Sequence, residues 1–527
     1  SGRGGDRERR GTGRDHRGRE RSGSRGHGGP RRGWSENRPS DRARTATSAR
    51  LVAYEAMRAV EEDDAYANLV LPKVLRRHRM HGRDAAFATE LFYGTLRAQG
   101  RLDAILQACI DRDLTEDVEP GVRDVLRLGA YQLLDMQVAP HAATSETVAL
   151  ARQVVGAGAA SFVNAVLRRT GERSRTDWIA EVAPDREEDL IGHLAIAHSH
   201  PAWIVRALRD ALRAHGRDTT ELEELLAAQN AAPTVSLVMR PGLTDIDEMI
   251  DSGASPGRLS AYAATLPSGD PGGIDPVREG RAAVQDEGSQ LMALALGLGA
   301  DTLVQAENGR WLDLCAGPGG KTALLGGLAP EHDAELLAVE VQPHRTRLVE
   351  RTVSSLVDAG AEITTLTADG RTLGTERPAT FSRVLADVPC TGLGALRRRP
   401  EARWRRTPGD IGTLTVLQGE LLDSAIAATV PGGVVAYVTC SPHIAETLLV
   451  IKDALRRHPG LEQLDARDAV RAGLRPEARD TDLGSGPTVQ LWPHVHGTDA
   501  MFITILRVPG DSTADDAPAV ASEEHPA

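Results

Sequence analysis

From residue 309 to 508, stretches of strand and helix character alternate, and this pattern constrains the fold more than any other feature of the 527-residue chain. Residues 310–315, 336–339, 363–366, 383–387 and 434–438 read as strands. Residues 321–328, 343–357, 411–429 and 445–457 read as helices. A helical crossover returns the chain to the end of the sheet from which it left. The expectation is therefore a parallel sheet with helices on both faces. Ligands of such sheets lie beyond the carboxyl ends of the strands, so the chemistry is sought there.

The first strand runs into Asp313-Leu314-Cys315-Ala316-Gly317-Pro318-Gly319-Gly320-Lys321. Its glycines let the backbone turn sharply and approach a ligand closely, although a tight strand-to-helix turn would read the same way. The segment is neither a P-loop nor a GxGxxG fingerprint. Glu340 ends the second strand, where a carboxylate can accept from ribose hydroxyls. Asp369, followed by Gly370, comes after the third and can receive an adenine amine. Acidic and glycine-rich strand ends in this order suit an adenosyl cofactor without a pyrophosphate, which places S-adenosylmethionine ahead of NAD. Asp387-Val388-Pro389-Cys390 ends the fourth strand, and Thr439-Cys440-Ser441-Pro442 ends the fifth. Fourth and fifth strands are neighbours in this topology, so two thiols are expected in one crevice. Cys109 and Cys315 read more simply as small buried residues, the latter inside the cofactor loop. Four scattered cysteines without a CxxC pair give neither a disulfide framework nor a metal site, and a reduced cytoplasm is expected.

The net charge of -12 argues against a nucleic-acid binder only until its distribution is read. Residues 1–50 hold fifteen Arg against six acidic residues, together with eleven Gly. Residues 1–44 are therefore expected to be disordered. Two readings stand for them, an RNA-binding arm acting through phosphates and a solubilising tail. The acidic tail, 509–527, is also expected to be disordered and is given no role. No run of 18 uncharged apolar residues and no apolar N-terminal run occur, so neither a membrane span nor a secretory signal is expected. No obligate protein partner is inferred.

Residues 45–175 carry helical periodicity throughout, punctuated by Gly82, Gly100, Pro120 and Pro140. The words AYANLVLPKVL, RDAAFATELFYGTLR, LRLGAYQLL and FVNAVLRR resemble the RNA-binding antitermination factor NusB. The resemblance implies an all-α domain that contacts RNA or a ribosomal partner. Phe162, Val163 and Val166 read first as helix packing, whereas Arg168 and Arg169 stay open between solvated charge and phosphate contact. Residues 176–308 form a small α+β subdomain: helices from 201 and over 222–228, and a strand at 234–239. The Gly/Pro-rich stretch 242–281 has no clear assignment. Gln285-Asp286-Glu287-Gly288-Ser289-Gln290 reads as a helix N-terminus with Asp286 or Ser289 near the cap.

The words LDLCAGPGGKT, ADVPCTGLGALRRRPEARW, YVTCSP and LWPHVHGTDAMF resemble the RNA cytosine-C5 methyltransferases. With the NusB-like domain they resemble the bacterial ribosomal RNA branch, the Sun-type small-subunit enzymes. The implied architecture is multidomain: an all-α NusB-like domain, the α+β subdomain, then an α/β Rossmann-like methyltransferase domain over 309–508. The resemblance implies S-adenosylmethionine bound by Cys315, Ala316, Gly317, Pro318, Gly319, Gly320, Lys321, Glu340, Arg345, Asp369, Gly370 and Asp387. It implies Cys440 as nucleophile, Cys390 as the group that assists product release, and ribosomal RNA as substrate. Two departures are small: Gly317 stands where the family has Ala, and Glu340 where Asp is common. The chemistry explains the thiols. Carbon 5 of cytosine becomes nucleophilic only after a thiolate adds to carbon 6, and the adduct must later be eliminated. Asp387 is suited to hold the cytosine edge. Arg397, Arg398, Arg399 and Trp404 follow Cys390 closely and are expected to line the RNA channel, the alternative being a solvated loop anchored by its Trp. Two rival classes are a Rossmann oxidoreductase and a non-catalytic RNA-binding scaffold.

Overall fold

The structure, a computed structural model, describes residues 48–510 except 64, 137 and 268. The expectations for the tails thus fall almost wholly outside the described residues.

Six helices open the described chain: α1 Ser48–Glu62, α2 Ala67–Arg77, α3 Gly82–Ala108, α4 Pro120–Leu134, α5 Pro140–Val154 and α6 Ala157–Thr170. Pro120 and Pro140 begin α4 and α5, where a missing N–H costs nothing. Val52, Ala53, Ala56, Met57 and Val60 give α1 one buried face, as the helical period requires. Helix α4 is buried along nearly its whole length. Its Arg127 is neutralised inside by Asp103 and Asp124, at 2.7 and 3.1 Å. Val163 and Val166 lie in this core, while the guanidinium of Arg112 covers Phe162. Cys109 is buried beside Thr170, and burial raises its thiol pKa.

Helices α7 Arg175–Val182, α8 Leu190–Ala197, α9 Ala202–Ala214 and α10 Leu222–Asn230 lead to a small antiparallel sheet. Its strands are β1 Val235–Met239, β2 Ser255–Pro256, β3 Ala263–Leu266 and β4 Ala282–Val284, in the order β2-β3-β1-β4. The unassigned stretch 242–281 thus supplies two strands, too short to show a period of their own. Asp286 caps helix Glu287–Gly297 by accepting from the Gly288 N–H.

The large sheet contains β5 Arg310–Asp313, β6 Glu335–Glu340, β7 Ile363–Thr367, β8 Phe381–Asp387, β9 Thr429–Thr439, β10 Glu462–Leu464, β11 Val489–Gln490 and β12 Phe502–Arg507. Its order is β10-β12-β9-β8-β5-β6-β7, with β11 paired to β12. Strands β5 to β9 pair in parallel as expected. The expectation of a wholly parallel sheet needs correction, because β12 runs antiparallel to β9 and β10 antiparallel to β12. Between β10 and β12 the chain passes through a short helix, Ala466–Ala472, and then β11, which pairs antiparallel with β12, so β12 is entered from the opposite end. Strand β5 has β6 and β7 on one side and β8 and β9 on the other. The order therefore reverses between β5 and β8, where this class of sheet opens a crevice. Among the described residues no helix is long and apolar enough to cross a membrane.

Candidate active site

The loop leaving β5 turns at Gly319, whose φ of +110° suits a residue without Cβ. Helix Gly320–Leu328 follows. Gly317 is bare for a different reason: a Cβ there would lie 2.1 Å from Glu340 Oε2. Arg345 Nη2 donates to Gly317 O at 2.6 Å and lies 3.5 Å from Glu340 Oε2. Glu340 is buried and its Oε1 accepts from the Gln342 N–H at 3.0 Å. Asp369 accepts from the backbone and guanidinium of Arg371, which hold it below the usual carboxylate range. Gly370 O accepts from Ser424.

Asp313, absent from the sequence-derived site, lies fully buried at the end of β5. Its Oδ2 accepts from Thr322 at 2.7 Å and its Oδ1 has no partner. Burial first, then the charge of Asp387, pushes its pKa up to about 7. Gln285 Oε1, beside Gly320, is also buried without a partner. A bare glycine turn, carboxylates at successive strand ends and two orphan acceptors fit a cofactor that carries positive charge and hydrogen-bond donors but no phosphate. Cys315 lies among these carboxylates, and burial first raises its thiol pKa well above the ordinary value.

Asp387 ends β8 and Cys440 follows β9, with Asp387 in register with Val438. Lys321 Nζ donates to Asp387 Oδ2 at 2.6 Å. The thiols of Cys390 and Cys440 are free and lie 3.3 Å apart. Their surroundings differ. A hydrogen bond from Cys390 is the largest influence lowering the Cys440 pKa, helped by the charges of Arg399 and Lys321 against burial and Asp387. Cys390 is raised, first by that same hydrogen bond, then by burial, by the charge of Cys440 and by that of Glu446. The hydrogen bond from Cys390, helped by the two cations, therefore favours the thiolate at Cys440, while that bond, burial and the nearby anions disfavour one at Cys390.

Glu446 is a residue that the sequence reading missed. It is wholly buried, and its carboxylate takes four donors. Oε1 accepts from the Thr391 N–H at 2.8 Å and from Gln418 at 3.1 Å. Oε2 accepts from the hydroxyls of Thr391 and Ser441 at 2.5 and 2.6 Å. Thr391 follows Cys390 and Ser441 follows Cys440, so one side chain fixes both cysteine loops. Gly394 adds a second tie: it donates to Cys440 O and accepts from the Ala500 N–H, both at 2.9 Å. Glu446→Gln should lower methyl transfer about ten-fold or more, since a charged acceptor is lost from a buried network. Cofactor affinity should be unchanged. With the anion gone, alkylation of Cys390 should begin at lower pH, a shift that a merely structural role would not produce. An unchanged alkylation profile would refute this electrostatic role.

The stretch after Cys390 is not an open basic strip. Arg397 is buried, with Nε 2.7 Å from Asp499 and Nη2 2.8 Å from Asp286, and Arg398 pairs with the same two carboxylates. Their expected place in an RNA channel is corrected accordingly: these guanidiniums bind the QDEGSQ cap to the GTDAM segment. Arg403 is buried against the NusB-like domain. Trp404 is partly exposed, its ring lying against Gly100 of α3. Arg399 remains exposed, stacked 5.0 Å above the ring of Tyr66.

A Rossmann-like sheet whose switch-point loops carry a glycine turn and acidic strand ends, with no phosphate-binding motif, defines a methyltransferase of the S-adenosylmethionine-dependent class. Residues 300–507 match the family model described as 16S rRNA methyltransferase RsmB/F, and residues 47–172 match the NusB family. A Mycobacterium tuberculosis protein, named no further than as a methyltransferase, is 51% identical over 483 residues, covering 91% of this chain and 98% of its own. A Bacillus subtilis protein named as a probable ribosomal RNA small subunit methyltransferase B is 31% identical over 474 residues, covering 88% and 99%. The Pseudomonas putida ribosomal RNA small subunit methyltransferase B is 32% identical over 435 residues, covering 81% and 92%. The solved structure of PH0851 shares the fold, with a TM-score of 0.69 at 21% identity, covering 86% of this chain and 97% of that one. The chain belongs to the RsmB/F family of 16S rRNA methyltransferases, with a NusB domain at its N-terminal side.

Proposed function

We propose that the protein methylates carbon 5 of a cytosine in small-subunit ribosomal RNA through a covalent bond from Cys440 to the base. The observation that carries this reading is the pair of free thiols 3.3 Å apart, beside the Lys321–Asp387 ion pair and the glycine loop. S-adenosylmethionine supplies the methyl group. The residues that would hold it are Cys315, Ala316, Gly317, Pro318, Gly319, Gly320, Glu340, Arg345, Asp369 and Gly370, with Lys321 and Asp387 at the inner edge. The names of the Bacillus and Pseudomonas relatives support the RNA assignment.

The Cys440 thiolate adds to carbon 6 of the cytosine, and the electron pair of the 5,6 double bond makes carbon 5 nucleophilic. Asp387, whose charge Lys321 balances, accepts from the exocyclic amine of the base. After methyl transfer the carbon 5 proton passes to a water molecule, the double bond re-forms, and the carbon–sulfur bond breaks with its electron pair leaving on Cys440 as thiolate. Cys390, a thiol within hydrogen-bond reach, assists this elimination by donating to the departing Cys440 sulfur. A target base inside a duplex is flipped out to reach the pair. Arg399 and Trp404 are the members of the 397–406 stretch left exposed for RNA. The test is transfer of labelled methyl groups to small-subunit ribosomal RNA, followed by bisulfite mapping. Label at carbon 5 of one cytosine is expected. Label confined to another base or atom would refute the reading.

A further inference from the structure

Residues 65–83 contain Lys73, Arg76, Arg77, Arg79 and Arg83, two His and no Asp or Glu, within a chain of net charge -12. Arg77 is paired with Glu55. Lys73, Arg76, Arg79 and Arg83 are exposed, and none has an ion pair among the described residues. Other exposed arginines are of both kinds: Arg186, Arg278, Arg371 and Arg456 each lie against a carboxylate, while Arg206 and Arg213 have no ion pair among the described residues. What sets this segment apart is that its four such cations fall within residues 73–83 with no acidic residue between them. Leu69, Lys73 and Arg76 recur at helical spacing and share one exposed face of α2. Tyr66, 45% exposed, stands at the head of that face. Arg79, just past the helix end, has a φ of +50°, a region that disfavours any side chain.

This face begins at the active site. Arg399, whose charge helps lower the Cys440 pKa, lies over Tyr66. Glu401 accepts from the Ala67 N–H at 3.0 Å, and Arg405 donates to Ala65 O at 2.9 Å. The segment after Cys390 is thus fastened to the first turn of α2. From there the helix runs about 16 Å, at roughly 1.5 Å per residue, carrying Lys73 and Arg76 along it and leaving Arg79 and Arg83 beyond its end. An aromatic and an aliphatic side chain at the active-site end, followed by unneutralised cations, match a single RNA strand, whose bases stack and whose phosphates repeat. An acidic protein surface would use the cations but not the aromatic head.

We propose that the exposed face of α2 and the turn after it form a track for single-stranded RNA flanking the target base, with Tyr66 and Arg399 at its active-site end and Lys73, Arg76, Arg79 and Arg83 on the phosphates. The proposal rests on the reading of the site as one that acts on RNA. The test uses the full chain with Lys73, Arg76, Arg79 and Arg83 each replaced by Gln. A control replaces Arg206, Arg213, Arg278 and Arg456 by Gln, for the same change of net charge. Binding of an unstructured oligouridine is measured against salt, and methyl transfer to small-subunit ribosomal RNA is measured separately. At about 0.7 per phosphate, the log–log salt slope should fall by about 3 in the track variant. Its Kd at low salt should rise at least ten-fold, and the control should stay near the parent. KM for RNA should rise while the saturated rate stays within two-fold. The pair Lys73→Gln/Arg76→Gln should show about half the slope change. Unchanged affinity and slope would overturn the track, as would an equal loss in the control. If the parent binds oligouridine with the expected slope but methylates no RNA, the functional reading fails and the track stands.

Discussion

Cys440→Ala should transfer no methyl groups and form no covalent complex with RNA, whereas Cys390→Ala should accumulate protein joined to methylated RNA. The two side chains lie within 3.3 Å, so proximity to the base cannot separate their roles. Their electrostatic surroundings can. Lys321 and Arg399 favour a thiolate at Cys440, and Glu446 opposes one at Cys390. Without Cys440 no bond to carbon 6 forms, and carbon 5 stays too weakly nucleophilic to accept a methyl group. Without Cys390 the addition and the methyl transfer proceed, but elimination stalls. A denaturing gel with labelled RNA reads the difference as a shifted band from Cys390→Ala alone. A shifted band from Cys440→Ala, with none from Cys390→Ala, would exchange the roles. Normal methylation by both variants would remove the covalent mechanism.

What the sequence revealed follows from how each group is encoded. The parallel strands and their ends were legible because β5, β6, β8 and β9 are short apolar runs, each followed by a polar residue. Lys321, Glu340, Asp387, Cys390 and Cys440 could be placed in one crevice by topology alone. The antiparallel edge was not legible, since nothing local in 502–507 tells its direction. Glu446 was missed because a Glu six residues after a cysteine reads as surface charge. Only the folded loop shows it enclosed by Thr391, Gln418 and Ser441. The arginines misled for the opposite reason. A basic stretch beside a catalytic cysteine suggests phosphate contacts, but Arg397 and Arg398 face Asp286 and Asp499, more than 100 positions away. Sequence proximity carries no information about pairs so distant. The exposed cations of α2, by contrast, stood within a segment read only for its helical words.

Arg403→Ala should be the most destabilising single change in the segment that follows Cys390. Its side chain is completely buried and has no carboxylate partner among the described residues. It donates instead to Arg97 O, Ser199 O, Gln229 O and Asn230 Oδ1, between 2.7 and 3.0 Å. These acceptors come from α3, the turn after α8, and α10, so one guanidinium joins three parts of the chain. Burial, then the charge of Arg97, pulls its pKa down to about 9. The cation is thus held by carbonyl dipoles alone, and the geometry of those bonds matters more than its charge. Truncation removes four hydrogen bonds, leaves Ser199 O and Gln229 O without this donor in the interior, and opens a cavity, at a combined cost on the order of 3–5 kcal/mol. Arg403→Lys should recover little of this, because an ammonium cannot reproduce the planar fork. Thermal melting should show an apparent Tm lower by several degrees for both variants. Gln229 also donates to Leu393 O at 3.1 Å, close behind Cys390. Loosening Arg403 should therefore reach the catalytic thiols, and alkylation of Cys390 should quicken at temperatures well below the melt. If Arg403→Ala melts within a degree of the parent and Cys390 reacts no faster, the loop is held by Glu401 and Arg405, and the buried guanidinium is not its anchor.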